Sequence, residues 1–386
     1  MNKNIGTLFK EIYNEEPVIA KAPAVVNLLG DFADVNEGYC LPFAIDQYAY
    51  AAACRRKDDM LSLISVRHIE RVAIRVKDIR LLSEGHWAND VLCVVEEIIK
   101  RGNGMHGFNM IVDGGNSTGP DLSSVLRCSV LCVLNEVFEF NISKLAATLI
   151  SGSASNRVDQ LTISISNYYA SVFGKKGYAL VLDSRKHWHE HVELKTDGYR
   201  FVMLDTGVKF NNLLSVCKER FIECEHGLIM IRKHFAAVKS LGEITLPMIE
   251  DYVEDEISKK RCIHVVKEGA RVLGAVEDMK IGDLRAFGKK MFESNDSMQF
   301  NFGISCPELN WLVNNLKSKE GVLGAKMLPG NHPGCVILMI KESMIGKVWE
   351  ELAEEYWQDM GKKLTAYMIA SVEGSSIVKK PINASV

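Results

Sequence analysis

The sequence predicts a two-lobed protein that mixes strands and helices. Three observations carry this. The chain has 386 residues, too long for one ordinary core. Strand-like runs rich in β-branched and aromatic residues are interspersed with helix-like runs. From residue 178 the pattern changes to a second set of strands followed by long helical regions. That change places the lobe boundary near 195–200, with one lobe over 1–197 and the other over 198–386, its last segment expected to pack back on the first lobe.

The elements follow in order. Ile5, Leu8, Phe9 and Ile12 are spaced as one face of a helix. Strands are expected near 18–28, 42–56, 61–67 and 71–77. Residues 88–101 form a helix with a broad apolar face from Val91, Leu92, Val94, Val95, Ile98 and Ile99. A strand at 107–115 leads through Asn116–Ser124 into an apolar helix at 125–138, then a helix at 143–151. Further on come strands at 178–184 and 200–208, long helical regions over 211–239 and from about 253, and a helix at 306–318. Strands at 323–328 and 335–341 flank the turn PGNHPG. The last forty residues are a helix and one extended segment.

Hydrophobic residues make up 47% and charged residues 25%, the profile of a soluble globular protein. A net charge of −3 gives no reason to expect nucleic acid as a partner. No stretch reaches the ~18 apolar residues of a membrane span, and Glu11, Glu15 and Glu16 argue against a signal peptide at the start. The ten cysteines are scattered without a C-x-x-C pair. Cys128 and Cys132, one helical turn apart, read as buried thiols. A cytoplasmic location follows.

Five stretches carry chemistry. Gly30-Asp31-Phe32-Ala33-Asp34 sets two carboxylates three residues apart with no cation inside the stretch. Strand, Asn116–Ser124, helix is the arrangement that offers free N–H groups to a phosphate. There, however, Pro120 has no N–H, and Asp121 would repel a phosphate ~4 Å away by ~1 kcal/mol in water and ~4 kcal/mol when partly buried. The other reading is a capped helix start with an Asx or Ser turn. Asp159 in Asn156-Arg157-Val158-Asp159-Gln160 reads either as a general base or as an Asp favoured near a helix N-terminus. Leu328–Cys335 reads as hairpin chemistry with His332 exposed in the turn. His187, His189 and His191 alternate, as a metal site on a strand would require or as an exposed polar strand or loop would allow.

Taken in order, these stretches resemble a galactokinase of the GHMP family of small-molecule kinases, from about residue 18 to beyond 340. The family signature A-P-G-R-V-N-L-I-G-E-H-T-D-Y-N-G-G, then L-P-x-A-I-D, stands here as APAVVNLLGDFADVNEGYCLPFAID. The ATP loop P-x-G-x-G-L-S-S-S-A is similar to STGPDLSSVL, and C-G-I-M-D-Q to SNRVDQ. RCIHVVKEGARV, GDLRAFGKKMFESNDSM and SCPELNWLV resemble further family segments, and LPGNHPGC stands at the T-G-G-G-F-G-G-C signature.

The resemblance implies an α+β, two-lobed GHMP kinase fold with the active site in the cleft. It implies ATP and magnesium as cofactors, galactose or a related sugar as partner, and transfer of the ATP γ-phosphate to the sugar C1 hydroxyl. It implies Asp159 as catalytic residue. It gives Asp31 and Asp34 as sugar ligands, with Asn156 and Cys217 at sugar-contacting positions. Gly119, Ser123 and Ser124 match the nucleotide loop, and no residue is assigned to a metal.

The departures fall on the phosphate machinery. The family's catalytic Arg is Val25, and the His after the acidic sugar ligand is Phe32. A loop Gly is Asp121, the third loop Ser is Val125, and a magnesium-side Glu falls at Ala147. The sugar-side Gly and Tyr are Asn156 and Cys217, and Pro329 and Pro333 interrupt the last Gly-rich signature. A phosphoryl-transfer Arg can be worth 10³–10⁵ in rate. The expectation is therefore a galactokinase-like protein with weak or lost turnover, or a pseudokinase that senses sugar. Arg157 is the candidate substitute for the missing Arg, although residues two apart on a helix do not face each other.

Overall fold

A computed structural model describes residues 5–68, 70–114, 122–159, 164–208, 213–330 and 332–380, with Ser123 and Asp159 described through their backbone only. The early elements are α1 (Ile5–Tyr13), β1 (Val18–Asn27), β2 (Tyr39–Cys40), β3 (Pro42–Arg55), β4 (Met60–Ser65), β5 (Arg71–Arg75), α2 (Asn89–Lys100) and β6 (Phe108–Asp113). There follow α3 (Ser123–Phe138), α4 (Lys144–Asp159), α5 (Ser166–Phe173), β7 (Tyr178–Asp183), β8 (Trp188–Glu193), β9 (Tyr199–Asp205), α6 (Leu213–Arg232), α7 (Leu246–Tyr252) and α8 (Glu256–Ile281). The last are α9 (Leu284–Ser297), α10 (Pro307–Leu316), β10 (Val322–Leu328), β11 (Cys335–Lys341), α11 (Ile345–Met360), β12 (Thr365–Met368) and β13 (Ser376–Lys379).

The chain folds into two compact units, each assembled from separated segments. The first takes Met1–Val25, Ala44–Lys176 and Val372–Val386; the second takes Val26–Phe43 and Gly177–Ser371. Position 197 thus lies inside the second unit, and the chain changes unit four times, beginning within β1 and β3.

The first unit carries a six-stranded sheet in the order β13-β1-β3-β6-β4-β5. β4 runs parallel to β6, with Leu63 beside Met110, and β3 runs antiparallel to it, with Ala52 beside Ile111. Phe9 of α1 is fully buried against Ile19, Ala52 and Ile111, whereas Ile12 is exposed although it shares the apolar spacing. Helices α2 to α5 pack against one another. α3 supplies the buried Val130, Leu131, Val133 and Leu134, with Cys128 buried and Cys132 half-buried, both as free thiols.

α4 is the first correction. It runs to Asp159, well past residue 151. Ser151, Gly152 and Ser153 have low helix propensity, which reads as a stop in the sequence. Tertiary packing overrides it, because Ile150, Ala154 and Ser155 are all buried. Asp159 therefore ends a helix rather than leading one, and the helix dipole disfavours a carboxylate there.

The second unit carries an antiparallel sheet, β10-β11-β9-β12, and a smaller one, β2-β7-β8. Its core joins Val202 and Leu204 of β9 to Met327, Val336 and Leu338 of the hairpin and to Leu312 and Leu316 of α10. α8 is its longest helix, capped by Asp255, whose carboxylate accepts from Ser258 N at 2.7 Å. It packs against α6, α7, α9, β2 and β8. α9 starts directly after Gly282, which closes α8 in the left-handed region, with Asp283 as its cap. A π-helical turn, Met298–Phe302, ends it. The tail holds two extended segments after α11, β12 and β13, instead of one. Among the described residues no helix is long and apolar enough to cross a membrane.

Candidate active-site residues

The carboxylate stretch is a tight turn in the second unit. Leu28 N donates to Leu41 O at 3.0 Å and Leu41 N to Leu29 O at 2.9 Å, which brings the chain back beside itself. Gly30 has φ +94°, and a Cβ there would stand 2.4 Å from Cys40 Cα, so only glycine fits. Phe32 also takes the left-handed region at φ +63°, where its ring lies 4.5 Å from that of Phe302. Asn36 Nδ2 donates to Phe32 O at 2.8 Å and closes the turn. Asp34 begins a short 3-10 turn and is buried.

A cation does stand beside Asp31, supplied from 295 residues away. Lys326, in the middle of β10, is wholly buried and its Nζ pairs with Asp31 Oδ2. Two further groups reach the same turn from α8. Glu268 Oε1 accepts from Gly30 N at 3.1 Å. His264 Nε2 lies 3.2 Å from Asp31 O; a carbonyl only accepts, so Nε2 carries the proton. His264 Nδ1 then accepts from the Ser297 hydroxyl at 2.9 Å. Burial pushes the His264 imidazole down to about 4, which keeps it neutral near pH 7. Glu268 also receives Arg271 and the Ser294 hydroxyl. The cluster therefore holds Lys326 and Arg271 against Asp31 and Glu268, two charges of each sign. Its outer members, Arg271 and Ser297, line a surface groove of about 570 Å³ beside Phe300.

In the first unit the cations are committed differently. Arg127 of α3 is buried and meets Asp90 of α2 at 2.7 Å, the Ser155 hydroxyl of α4 and Tyr168 Oη of α5 at 3.3 Å. Arg157 of α4 pairs with Glu96 and approaches Glu97 at 3.9 Å, both on α2. Val25, at the position of the family's Arg, is only 2% exposed. Asn156 is exposed on α4.

Of the loop positions, Gly119, Pro120 and Asp121 lie outside the described residues. α3 starts with Leu122 as its cap, so the capping side chain expected from the sequence is replaced by one that cannot accept a hydrogen bond. Ser124 is buried, and among the described residues its hydroxyl has no partner. Val125 is buried and Ala147 half-buried.

Three remaining stretches resolve as follows. His332 is buried, not exposed as its turn suggested. The hairpin folds in because Thr206 N and Oγ1 both donate to Gly334 O, at 3.0 and 2.7 Å. Cys217 is half-buried on α6, and burial pushes its thiol up to about 11. His189 and His191 share one side of β8 with ring centroids 6.0 Å apart, while His187 precedes the strand. Among the described residues no group of three or more His, Cys, Asp or Glu is arranged to hold a metal.

The chain is similar to known proteins in sequence and in fold. The family model described as the galactokinase galactose-binding signature matches residues 7–55, and that of the GHMP kinases C terminal matches residues 275–358. A galactokinase from Thermotoga petrophila is 32% identical over 356 residues, 92% of this chain and 98% of that protein. One from Clostridium acetobutylicum is 27% identical over 383 residues, 97% of each. Among solved structures, Lactococcus lactis galactokinase complexed with galactose superposes with a TM-score of 0.91 at 24% identity, covering 96% of this chain and 98% of that one. Methanococcus jannaschii mevalonate kinase does so with a TM-score of 0.62 at 15% identity, covering 93% and 99%. The fold is the α+β fold of the GHMP kinases, and the chain belongs to the galactokinase family.

Proposed function

We propose that this chain binds galactose and that its ATP-dependent phosphorylation of the C1 hydroxyl is weak or lost. The turn that carries Asp31 and Asp34 is the proposed sugar-binding element, and Asn156 and Cys217 are proposed as further sugar contacts. Asp159, the last residue of α4, is the proposed base that takes the C1 hydroxyl proton. One observation carries the loss of turnover. Val25 stands where the family has its Arg, and the candidate substitute, Arg157, is paired with Glu96.

Family membership implies ATP and magnesium. The donor set does not fit them well. Val125 and Ala147 offer no oxygen at the two magnesium-side positions, and Pro120 and Asp121 withdraw a donor and add a repelling charge in the loop. Without a cation at position 25, charge developing on a transferring phosphoryl group loses a stabiliser worth 10³–10⁵ in rate in related chemistry. These same residues favour the second reading, a pseudokinase that uses its sugar site for sensing.

The test is product formation. Purified protein is incubated with galactose and MgATP, and galactose 1-phosphate is followed by mass spectrometry. The proposal expects turnover at or below about 10⁻² per second, a loss of roughly 10³ from a typical enzyme. Formation at about ten per second would overturn it.

A further inference from the structure

We infer that Asp31 is an internal anchor of the sugar turn rather than a sugar ligand, and that Lys326 is the positioning residue that holds it. This rests on the reading that the turn binds galactose. It departs from the role that family resemblance gives Asp31.

The geometry supports it at each point. Position 31 carries Asp, one methylene shorter than the Glu usual in the family, and its carboxylate is turned onto Lys326. The Asp31 side chain is 8% exposed and that of Lys326 0%. A buried ammonium needs a counter-charge, and Asp31 supplies it. Lys326 Nζ also lies 3.5 Å from Asn27 O at the end of β1, in the same unit. The neighbouring contacts act on the backbone of the same turn. Glu268 takes Gly30 N and His264 donates to Asp31 O. Three groups, two from α8 and one from β10, thus fix two consecutive residues. They hold a turn that contains two left-handed residues, Gly30 and Phe32, against relaxing. Recognition of the sugar then falls to other groups of the turn, with Asp34 foremost.

A double-mutant cycle tests this on the full chain, with Asp31→Asn, Lys326→Met and the pair together. Thermal unfolding and calorimetric galactose affinity are read for each. Either single change strands one buried charge, so the thermal midpoint falls by about 5–10 °C and galactose binds at least tenfold more weakly. The pair removes both charges, so the midpoint recovers to within about 3 °C and the affinity to within threefold of the native protein. If Asp31 grips the sugar directly, Asp31→Asn and the double variant lose galactose equally while Lys326→Met keeps it, and the inference fails. If the native protein does not bind galactose, the sugar reading fails, and the thermal cycle still decides the anchor. Additive thermal losses then overturn it. Should the double variant not fold, His264→Asn and Glu268→Gln serve, since both contact the turn only through its backbone. The inference expects several-fold weaker galactose binding by the folded fraction, and unchanged affinity overturns it.

Discussion

Among the described residues, one buried polar cluster in each compact unit makes the comparison, and the two end on different things. In the first unit Arg127 ties α3 to Asp90, Ser155 and Tyr168, each on a helix. In the second unit Lys326, His264 and Glu268 end on a turn outside regular structure, at Gly30 and Asp31. Both clusters satisfy buried charge by pairing. The first uses it to hold a helix bundle together. The second uses it to hold the conformation of the segment that matches the galactose-binding signature. In the first unit Arg127 and Arg157 are paired with carboxylates of α2, and Val25 carries no charge. The proposed function builds on this difference: a held sugar turn and weak or lost phosphate transfer.

The largest expected effect breaks the bundle cluster. Arg127→Met leaves the Asp90 carboxylate without its guanidinium and should cost about 3–5 kcal/mol in urea unfolding. A cost under about 1 kcal/mol would mean that the cluster is not structural. A middle effect sharpens the role of the turn cluster. Burial holds the His264 imidazole at about 4 instead of 6.5, so the unfolded chain takes up a proton first as pH falls. His264 thus contributes stability that is present above pH 6.5 and lost as pH falls toward about 4. Asp31, Glu268, Arg271 and Lys326 surround it; burial raises the Asp31 carboxyl, which acts in the opposite sense, while against burial the charges of its neighbours lower that of Glu268, which acts in the same sense. The comparison with His264→Gln isolates the His264 part. The native protein should lose stability relative to the variant between those pH values, and parallel curves would count against a neutral buried imidazole. The smallest effect concerns Arg157, whose side chain is about a third exposed. Arg157→Ala should cost less than about 1 kcal/mol and leave any residual turnover unchanged. A tenfold fall in turnover would make Arg157 the stand-in for the missing Arg.

Much of this was legible in the sequence. The apolar runs at 42–56 and 335–341 are β3 and β11, and the broad apolar face at 88–101 is α2. The ordered motifs identified the family before any contact was known. Apart from the return of the last segment, the discontinuous units were not legible, because periodicity is local and says nothing about where the chain recrosses. Nor was the cation beside Asp31, since 295 residues separate the pair. A signal for it existed: Lys326 interrupts the apolar strand Val322–Leu328, where a charge must find a partner. His264 and Glu268, four apart on α8, likewise lie on one helix face. The length of α4 was not legible for a physical reason, since Ser and Gly lower propensity but not the packing that Ala154 and Ser155 provide.

The central claim is that the sugar grip is kept while phosphate handling is lost, and calorimetry tests it most directly. Galactose and MgATP are titrated separately into the native protein. The account predicts saturable galactose binding, with MgATP binding at least a hundredfold weaker than galactose or undetectable at millimolar concentration. Tight MgATP binding together with turnover of about ten per second would contradict it.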